Sequence, residues 1–349
     1  MLTELSQYGA LFAKTHAMRG KRLTGADYAR MLDMRSVTEV AQYLEGHPAY
    51  VASLSGFERE GVHRGALEAA VRNHWFSQYL TLFHYVPRED AALLRYPVLR
   101  AEMEQIMAFL RLASVGRAEE YTFTLPRFFD RHSRIRYQAL SRAVTYDDLL
   151  EAVSRTDFYP ALRRLRKEDG AFPAYILVES AMQSYYFTSV FSLIDRRAHG
   201  ETRALLRDLI GLQADMINVS AILRILRSFS ALKENVFSYL LPVTHKLGPA
   251  FLRTLLQSPD TDAAFALMQT SPYGKFFATR RWDTLYDYSA EICYDFAKKH
   301  FSGIPSVHTA LIFISLQELE LKNLIHVIES VRYGVPLEQI RGCLVGLDL

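Results

Sequence analysis

The sequence predicts an all-α protein, and three observations predict it. Apolar residues recur at three- and four-residue spacing nearly throughout, as in Leu67, Ala70, Val71, Trp75, Tyr79 and Leu80. That spacing gathers them on one face of a helix. Alternating strand-like runs are scarce, and no Asn-Gly or Asp-Gly hairpin turn is set between two of them. A helical pattern also returns three times along the 349 residues.

Two landmarks mark the repetition. Glu102, Asp215 and Glu320 are each followed three residues later by an amide, Gln105, Asn218 and Asn323, and then by IMAFLR, VSAILR and LIHVIE. The acids lie 113 and 105 residues apart. Tyr50, Tyr159 and Tyr273 close three similar segments, EVAQYLEGHPAY, DLLEAVSRTDFY and DAAFALMQTSPY, at intervals of 109 and 114. Two landmarks keeping nearly one period argue for triplication of a single unit, with approximate spans 1–116, 117–231 and 232–349.

Each unit is expected to hold three parts in order. A short capped helix comes first. Ser36 with Glu39 and Thr145 with Asp148 fit the pattern in which a hydroxyl takes an orphan helix N–H, worth about 1 kcal/mol. In the third unit Ser258-Pro259-Asp260 is assigned the same job, with proline at the first helical position. A long aromatic helix follows: LEAAVRNHWFSQYLTLF, LVESAMQSYYFTSVFSLI and TLYDYSAEICYDFAKKHF. The acid–amide helix comes last. Short breaks (HP at 47–48, VPRED at 86–90, GIPS at 303–306, YGVP at 333–336) separate the parts, and no flexible linker divides the chain.

Composition narrows the function. With 50% hydrophobic and 23% charged residues, the chain has the profile of a globular protein able to bury a core. A formal charge of +3 is too small for a nucleic-acid binder, which needs a clustered cationic excess. The basic runs Arg163, Arg164, Arg166 and Lys167, then Arg196 and Arg197, then Arg280 and Arg281, stand beside acids or aromatics and read as solvated faces, with an acidic protein partner as the sharper alternative. Cys293 and Cys343 have no metal spacing and read as buried thiols of a reducing compartment. No signal peptide is expected at the N-terminus. Ser180–Ile194, the longest stretch without Asp, Glu, Lys, Arg or His, is too short and too polar to span a bilayer, so the chain is not expected to cross a membrane by itself.

Motifs of chemistry are few. The phosphate loop, H-E-x-x-H, C-x-x-C and G-x-S-x-G are all missing. His63, His74 and His84 lack the carboxylate pattern of a metal site. Asp147, Asp148 and Glu151 form D-D-x-x-E, which could grip a diphosphate through Mg²⁺ as in a prenyl-transfer enzyme. The plainer reading puts the two aspartates in the first turn after the Thr145 cap, where negative charge suits the helix dipole; the matching positions in the first unit, Thr38 and Glu39, favour it. Glu102, Gln105, Asp215, Asn218, Glu320 and Asn323 carry two readings as well. They either line a pore or socket, or each acid binds a neighbouring helix end or an arginine such as Arg111 or Arg224. The second, structural reading is preferred. No catalytic residue, cofactor, metal or small-molecule substrate is expected.

Taken together, these residues resemble the C-type subunit of the V/A-type rotary ATPases, known by the letter d in the vacuolar enzyme. ADMINVSAILRILR at 214–227 is similar to that family's D-x-x-N-I-x-x-I-L-R helix. ELKNLIHVIESVRYGVPLEQIRGCLV at 320–345 resembles its closing segment, and YGALFAKTHAMRGKRLTGADYARML its opening one. The likeness spans essentially the whole chain. Departures (Gln105 for asparagine, Glu329 where the second unit has Arg224, Val219 and Leu324 for isoleucine) read as those of a divergent bacterial member.

The resemblance implies three similar helical domains in a pseudo-threefold funnel and a non-catalytic role. It implies a peripheral position on the cytoplasmic face of the membrane, with central-stalk subunits and rotor-ring subunits as partners. The ring would carry protons or sodium ions. An α-helical scaffold for other protein partners is the alternative from the repeats alone.

Overall fold

The computed structural model describes residues 2–56, 61–121, 123, 132–228, 239–280, 287–301, 305–340 and 343–347. Every regular element among them is helical, and none is a strand. Arg281, residues 284–286 of the third aromatic run, 303–304 of the GIPS break and 341–342 of the closing segment lie outside the described residues.

After a leading helix α1 (Leu2–Arg19), one five-helix order appears three times. The first set is α2 (Gly25–Leu32), α3 (Val37–Gly46), α4 (Val51–Leu54), α5 (Arg64–Phe83) and α6 (Tyr96–Ala113). The second is α7 (Tyr137–Leu140), α8 (Tyr146–Ala152), α9 (Tyr159–Arg163), α10 (Tyr175–Arg197) and α11 (Gly200–Ser228). The third is α12 (Pro249–Leu256), α13 (Thr261–Gln269), α14 (Gly274–Phe277), α15 (Tyr288–His300) and α16 (Val307–Tyr333), with a last turn α17 (Leu337–Ile340). The sets begin at Gly25, Tyr137 and Pro249, 112 residues apart each time.

Local chemistry sets the helix starts. The Ser36 hydroxyl accepts the Glu39 N–H at 3.2 Å. Thr145 and Asp148 satisfy each other's backbone N–H reciprocally, a full capping box. Thr24 and Asp27 form a second box, at the start of α2. The third set differs from expectation. Asp260, not Ser258, caps α13 by accepting the Ala263 N–H at 2.8 Å. Pro259 lies ahead of that cap, and the Ser258 N–H is still engaged with Leu255 at the exit of α12. The chain's Asp-Gly pair, Asp169-Gly170, makes the turn that leads into α10. The Asp169 carboxylate accepts the Ala171 N–H at 3.0 Å, and Gly170 sits at φ +69°, a conformation open to glycine at little cost. At the YGVP break Gly334 ends α16 at φ +64°, and the Val335 N–H closes onto the Ser330 carbonyl.

Contacts divide the chain into two compact units. One comprises Met1–Ala91 with Asp283–Leu349, the other Ala92–Trp282. In the first, α16 is the central helix, with α1, α5 and α15 packed on it. Its core joins Tyr28, Met31, Val40, Leu44, Leu67 and Val71 from the first set to Leu324, Val327 and Ile328 of α16. In the second, α10 packs on both α6 and α11. The stretch Gly200–Arg227 is long and apolar enough to cross a membrane by length and composition, but 78% of its most apolar window is buried in the protein, as in a core helix. Asp215 near its middle, with charged residues towards both ends, keeps it out of the long uncharged runs of the sequence.

The caps carry a test. Replacing Thr145 by Val, which removes the hydroxyl of the capping box, is expected to lower stability by about 1 kcal/mol in urea or thermal unfolding. Asp147→Asn alters only an exposed ion pair with Arg166 and is expected to stay within about 0.5 kcal/mol of the parent.

Candidate functional site

The six signature side chains lie on α6, α11 and α16, and all are buried, from Asp215 at 0% exposure to Gln105 at 6%. A buried carboxylate is expensive unless its oxygens are satisfied. Where each finds its donors is therefore the informative geometry.

Asp215 is the most completely bonded. Its Oδ1 accepts the backbone N–H of His245 at 2.9 Å. Its Oδ2 accepts those of Lys246 at 2.7 Å and Leu247 at 3.1 Å, and the Tyr273 hydroxyl at 2.7 Å. One carboxylate thus gathers the loop that opens the third set and the tyrosine at the start of its third helix, α14. Gly211, one turn earlier on α11, makes room for this loop, because a Cβ there would lie 2.6 Å from the His245 Cβ and ring. Burial first, then the Asp215 charge, raises the Tyr273 phenol, so it stays a donor.

Glu102 does the equivalent for the second set. Its Oε1 accepts the Ser133 hydroxyl at 2.8 Å and the Arg134 N–H at 2.6 Å. Burial raises the Glu102 carboxyl above its usual range, partly offset by those two bonds. Tyr159, the matching tyrosine, is half-buried and does not bond Glu102.

Glu320 serves the first set, and here the donors are side chains. Arg22 Nε donates to Oε2 at 2.8 Å, and the Tyr50 hydroxyl to Oε1 at 2.9 Å. Arg22 also donates to the Leu316 carbonyl at 3.1 Å. The Tyr50 ring lies 4.2 Å from that of His74, whose Nδ1 is 2.8 Å from the Ser53 hydroxyl. Burial lowers His74 to about 4, so it is neutral at pH 7.

The amides work one turn along. Asn218 pairs both backbone groups of Leu241, accepting its N–H at 2.7 Å and donating to its carbonyl at 3.4 Å. Asn323 does the same with Val345, at 3.0 and 2.9 Å. Gln105 accepts the Tyr121 hydroxyl at 3.0 Å.

Each acid–amide helix therefore holds the chain that follows it, and α16 holds the opening of the first set as well. Sequence reasoning found the six residues and two of the tyrosine partners. It missed Arg22, Ser133, Arg134 and the 245–247 loop. A signal was available in Arg22-Leu23, Arg134-Ile135 and Lys246-Leu247, a basic–aliphatic pair repeated every 112 residues.

The other singled-out groups are committed elsewhere. The arginine that meets an acid is Arg22. Arg111 lies against Tyr175, and Arg224 lines a cavity of about 380 Å³ between α10 and α11, with Glu179, Gln183 and Asn218. Glu329 meets Arg64 at 3.4 Å. Asp147 pairs with Arg166, Asp148 caps α8, and Glu151 pairs with Arg136, so the D-D-x-x-E carboxylates serve three separate local contacts. His63 caps α5, and His84 bonds the Leu80 carbonyl. Among the described residues no group of three His, Cys, Asp or Glu side chains could hold a metal ion.

Fold and site together define an all-α repeat protein whose buried acids are bonded internally. A family model described as ATP synthase (C/AC39) subunit matches residues 11–343, and the chain belongs to that family. It is 22% identical over 360 residues to the C-type subunit of the A-type ATP synthase of Methanosphaera stadtmanae, covering 99% of this chain and 89% of that protein. Against the protein of the same name from Methanocaldococcus jannaschii it is 19% identical over 358 residues, covering 99% and 88%. Against that of Methanosarcina acetivorans it is 23% identical over 261 residues, covering 72% and 67%.

Two carboxylates offer opposite outcomes. Asp215→Asn turns an amide N–H toward buried donors and is expected to cost about 2–4 kcal/mol of stability. Glu102→Gln keeps an oxygen that can accept both Ser133 and Arg134, and is expected to be neutral or stabilising at pH 7. The Glu102 carboxyl is raised in the folded state, so its favourable contribution is present at low pH and is lost as pH rises through the folded value. The advantage of Glu102→Gln in unfolding midpoint should therefore be absent in acid and appear as pH rises past the usual carboxylate range.

Proposed function

We propose that the chain is the non-catalytic coupling subunit of a V/A-type, proton- or sodium-translocating ATP synthase. In this role it joins the central stalk of the soluble sector to the membrane rotor ring. Its partners are then other subunits of that complex, and its place is peripheral, on the cytoplasmic face of the membrane. The repeat units 1–116, 117–231 and 232–349 form three similar helical domains about a pseudo-threefold axis.

The observation that carries this reading is the three carboxylate ties. A coupling must pass torque without yielding, and close-packed helices resist deformation well. Loops do not, unless something fixes them. Here the segments opening the three sets are held by Glu102, Asp215 and Glu320, so the turns between successive sets are bonded to helix interiors. The family membership and the names of the relatives support the same assignment.

The test is a tagged pull-down from detergent-solubilised native membranes, with retained proteins identified by mass. Motor subunits recovered together with a small, very hydrophobic ring protein are the expected result. Recovery of neither, from membranes containing an intact rotary ATPase, would overturn the assignment.

A further inference from the structure

The modest charge of the whole chain conceals a division. The unit Ala92–Trp282 holds 26 Lys and Arg against 19 Asp and Glu, a net of +7. The unit Met1–Ala91 with Asp283–Leu349 holds 15 against 19, a net of −4. Such asymmetry has consequences for what each surface attracts.

Within the basic unit, one group of cations stands where α10 turns into α11, apart from the run Arg163, Arg164, Arg166 and Lys167. Arg196, Arg197, Arg203 and Arg207 fall within 12 residues, with Glu201 among them and Asp195 and Asp208 at the two ends. Asp195 bonds both Arg203 and Arg207, and Arg207 lies over the Phe191 ring at 5.3 Å. This fixes two guanidinium groups on α11. Asp208 is engaged with His245 at 3.1 Å. Arg196 and Arg197 are exposed, and neither joins an ion pair among the described residues.

Helix stability explains only half of this cluster. Arg196 and Arg197 end α10, where cations suit the dipole. Arg203 and Arg207 stand in the first two turns of α11, where cations oppose it. Asp195 already answers Arg203 and Arg207 within the protein, which leaves Arg196 and Arg197 as the cations open to an external anion. Among the described residues of this unit the exposed large apolar ones are Val115, Val144, Ile176 and Leu177, none of them at this turn. A protein interface is built on a desolvated apolar core, whereas adsorption to anionic headgroups needs cations alone, at about 1 kcal/mol per basic residue near the surface.

We propose that the α10–α11 turn is a docking surface for anionic phospholipid headgroups. The assignment of lipid rather than a soluble anion rests on the membrane-bound reading given above. Guanidinium groups suit it, since each offers several donors to phosphate oxygens. The interaction is electrostatic and reversible.

Vesicle co-sedimentation of the purified full chain tests this, using phosphatidylcholine vesicles with and without phosphatidylglycerol. Binding is expected only with phosphatidylglycerol, and should fade in about 0.5 M salt as the screening length shortens. Arg196→Gln with Arg197→Gln should weaken it about tenfold or more. Arg163→Gln with Arg164→Gln, equal in charge but away from the turn, should change it far less. Equal weakening by both pairs, or no binding to phosphatidylglycerol vesicles at low salt, would overturn the proposal. Vesicle binding that survives Arg196→Gln/Arg197→Gln while that variant loses an ATPase subunit in the pull-down would make the turn a protein contact and overturn it too. A pull-down of the unaltered chain that recovers no ATPase subunit would count against the coupling role instead, so the two failures are distinct.

Discussion

A carboxylate placed inside a helix bundle must be given donors, and that requirement organises this protein. Asp215 is fully enclosed on a helix whose other faces are largely apolar. Its four bonds bring the loop 245–247 and Tyr273 to α11. Hydrogen bonds to a charged group contribute roughly 1.5–3 kcal/mol each when they replace bonds to water. Breaking one leaves both a buried charge and a buried N–H unsatisfied, so the loop has little freedom to leave. Glu102 applies the same constraint with two donors, and Glu320 with an arginine and a phenol.

Glu320 is the instructive exception. Its partners precede it by nearly the whole chain, since Arg22 lies 298 residues away. Backbone amides of the 22–24 stretch do not supply the donors; the Thr24 N–H is already used by its capping box. A long guanidinium reaches the carboxylate instead, and a second arm of it takes the Leu316 carbonyl. The first unit is thus one body made from both ends of the chain, with Tyr28, Tyr50 and Leu324 sharing a core. Pairing at so buried a site costs desolvation on both sides, which the extra bonds to Tyr50 and Leu316 offset.

Much of this was legible from residue identity. Helical class, the caps at Ser36 and Thr145, and the six polar positions all follow from side chains at fixed spacing. Membership of the rotary ATPase family followed from order and spacing as well. What escaped was carried by the backbone. The donors to Asp215 are N–H groups of His245, Lys246 and Leu247, which any residue but proline could supply, so the repeated basic–aliphatic pair marks the place without naming the bonds. Arg22 was hidden for another reason: its partner lies at the far end of the sequence, and only the 112-residue period of the basic–aliphatic pair sets it apart from Lys21. Asp260 displaced Ser258 as a cap because α12 runs on to Leu256 and still claims the serine. The excess of cations over acids in one unit was invisible until contacts defined the units.

The central claim is that buried carboxylates hold these loops as firmly as helices hold themselves. Residue-resolved native-state hydrogen exchange tests it most directly at His245, Lys246 and Leu247, which lie outside any helix. If the account is right, these three amides exchange as slowly as those in the centre of α11, far behind the amide of Thr244. If they exchange at the rate of Thr244, the Asp215 bonds do not persist in solution, and the carboxylate ties do not hold the chain together.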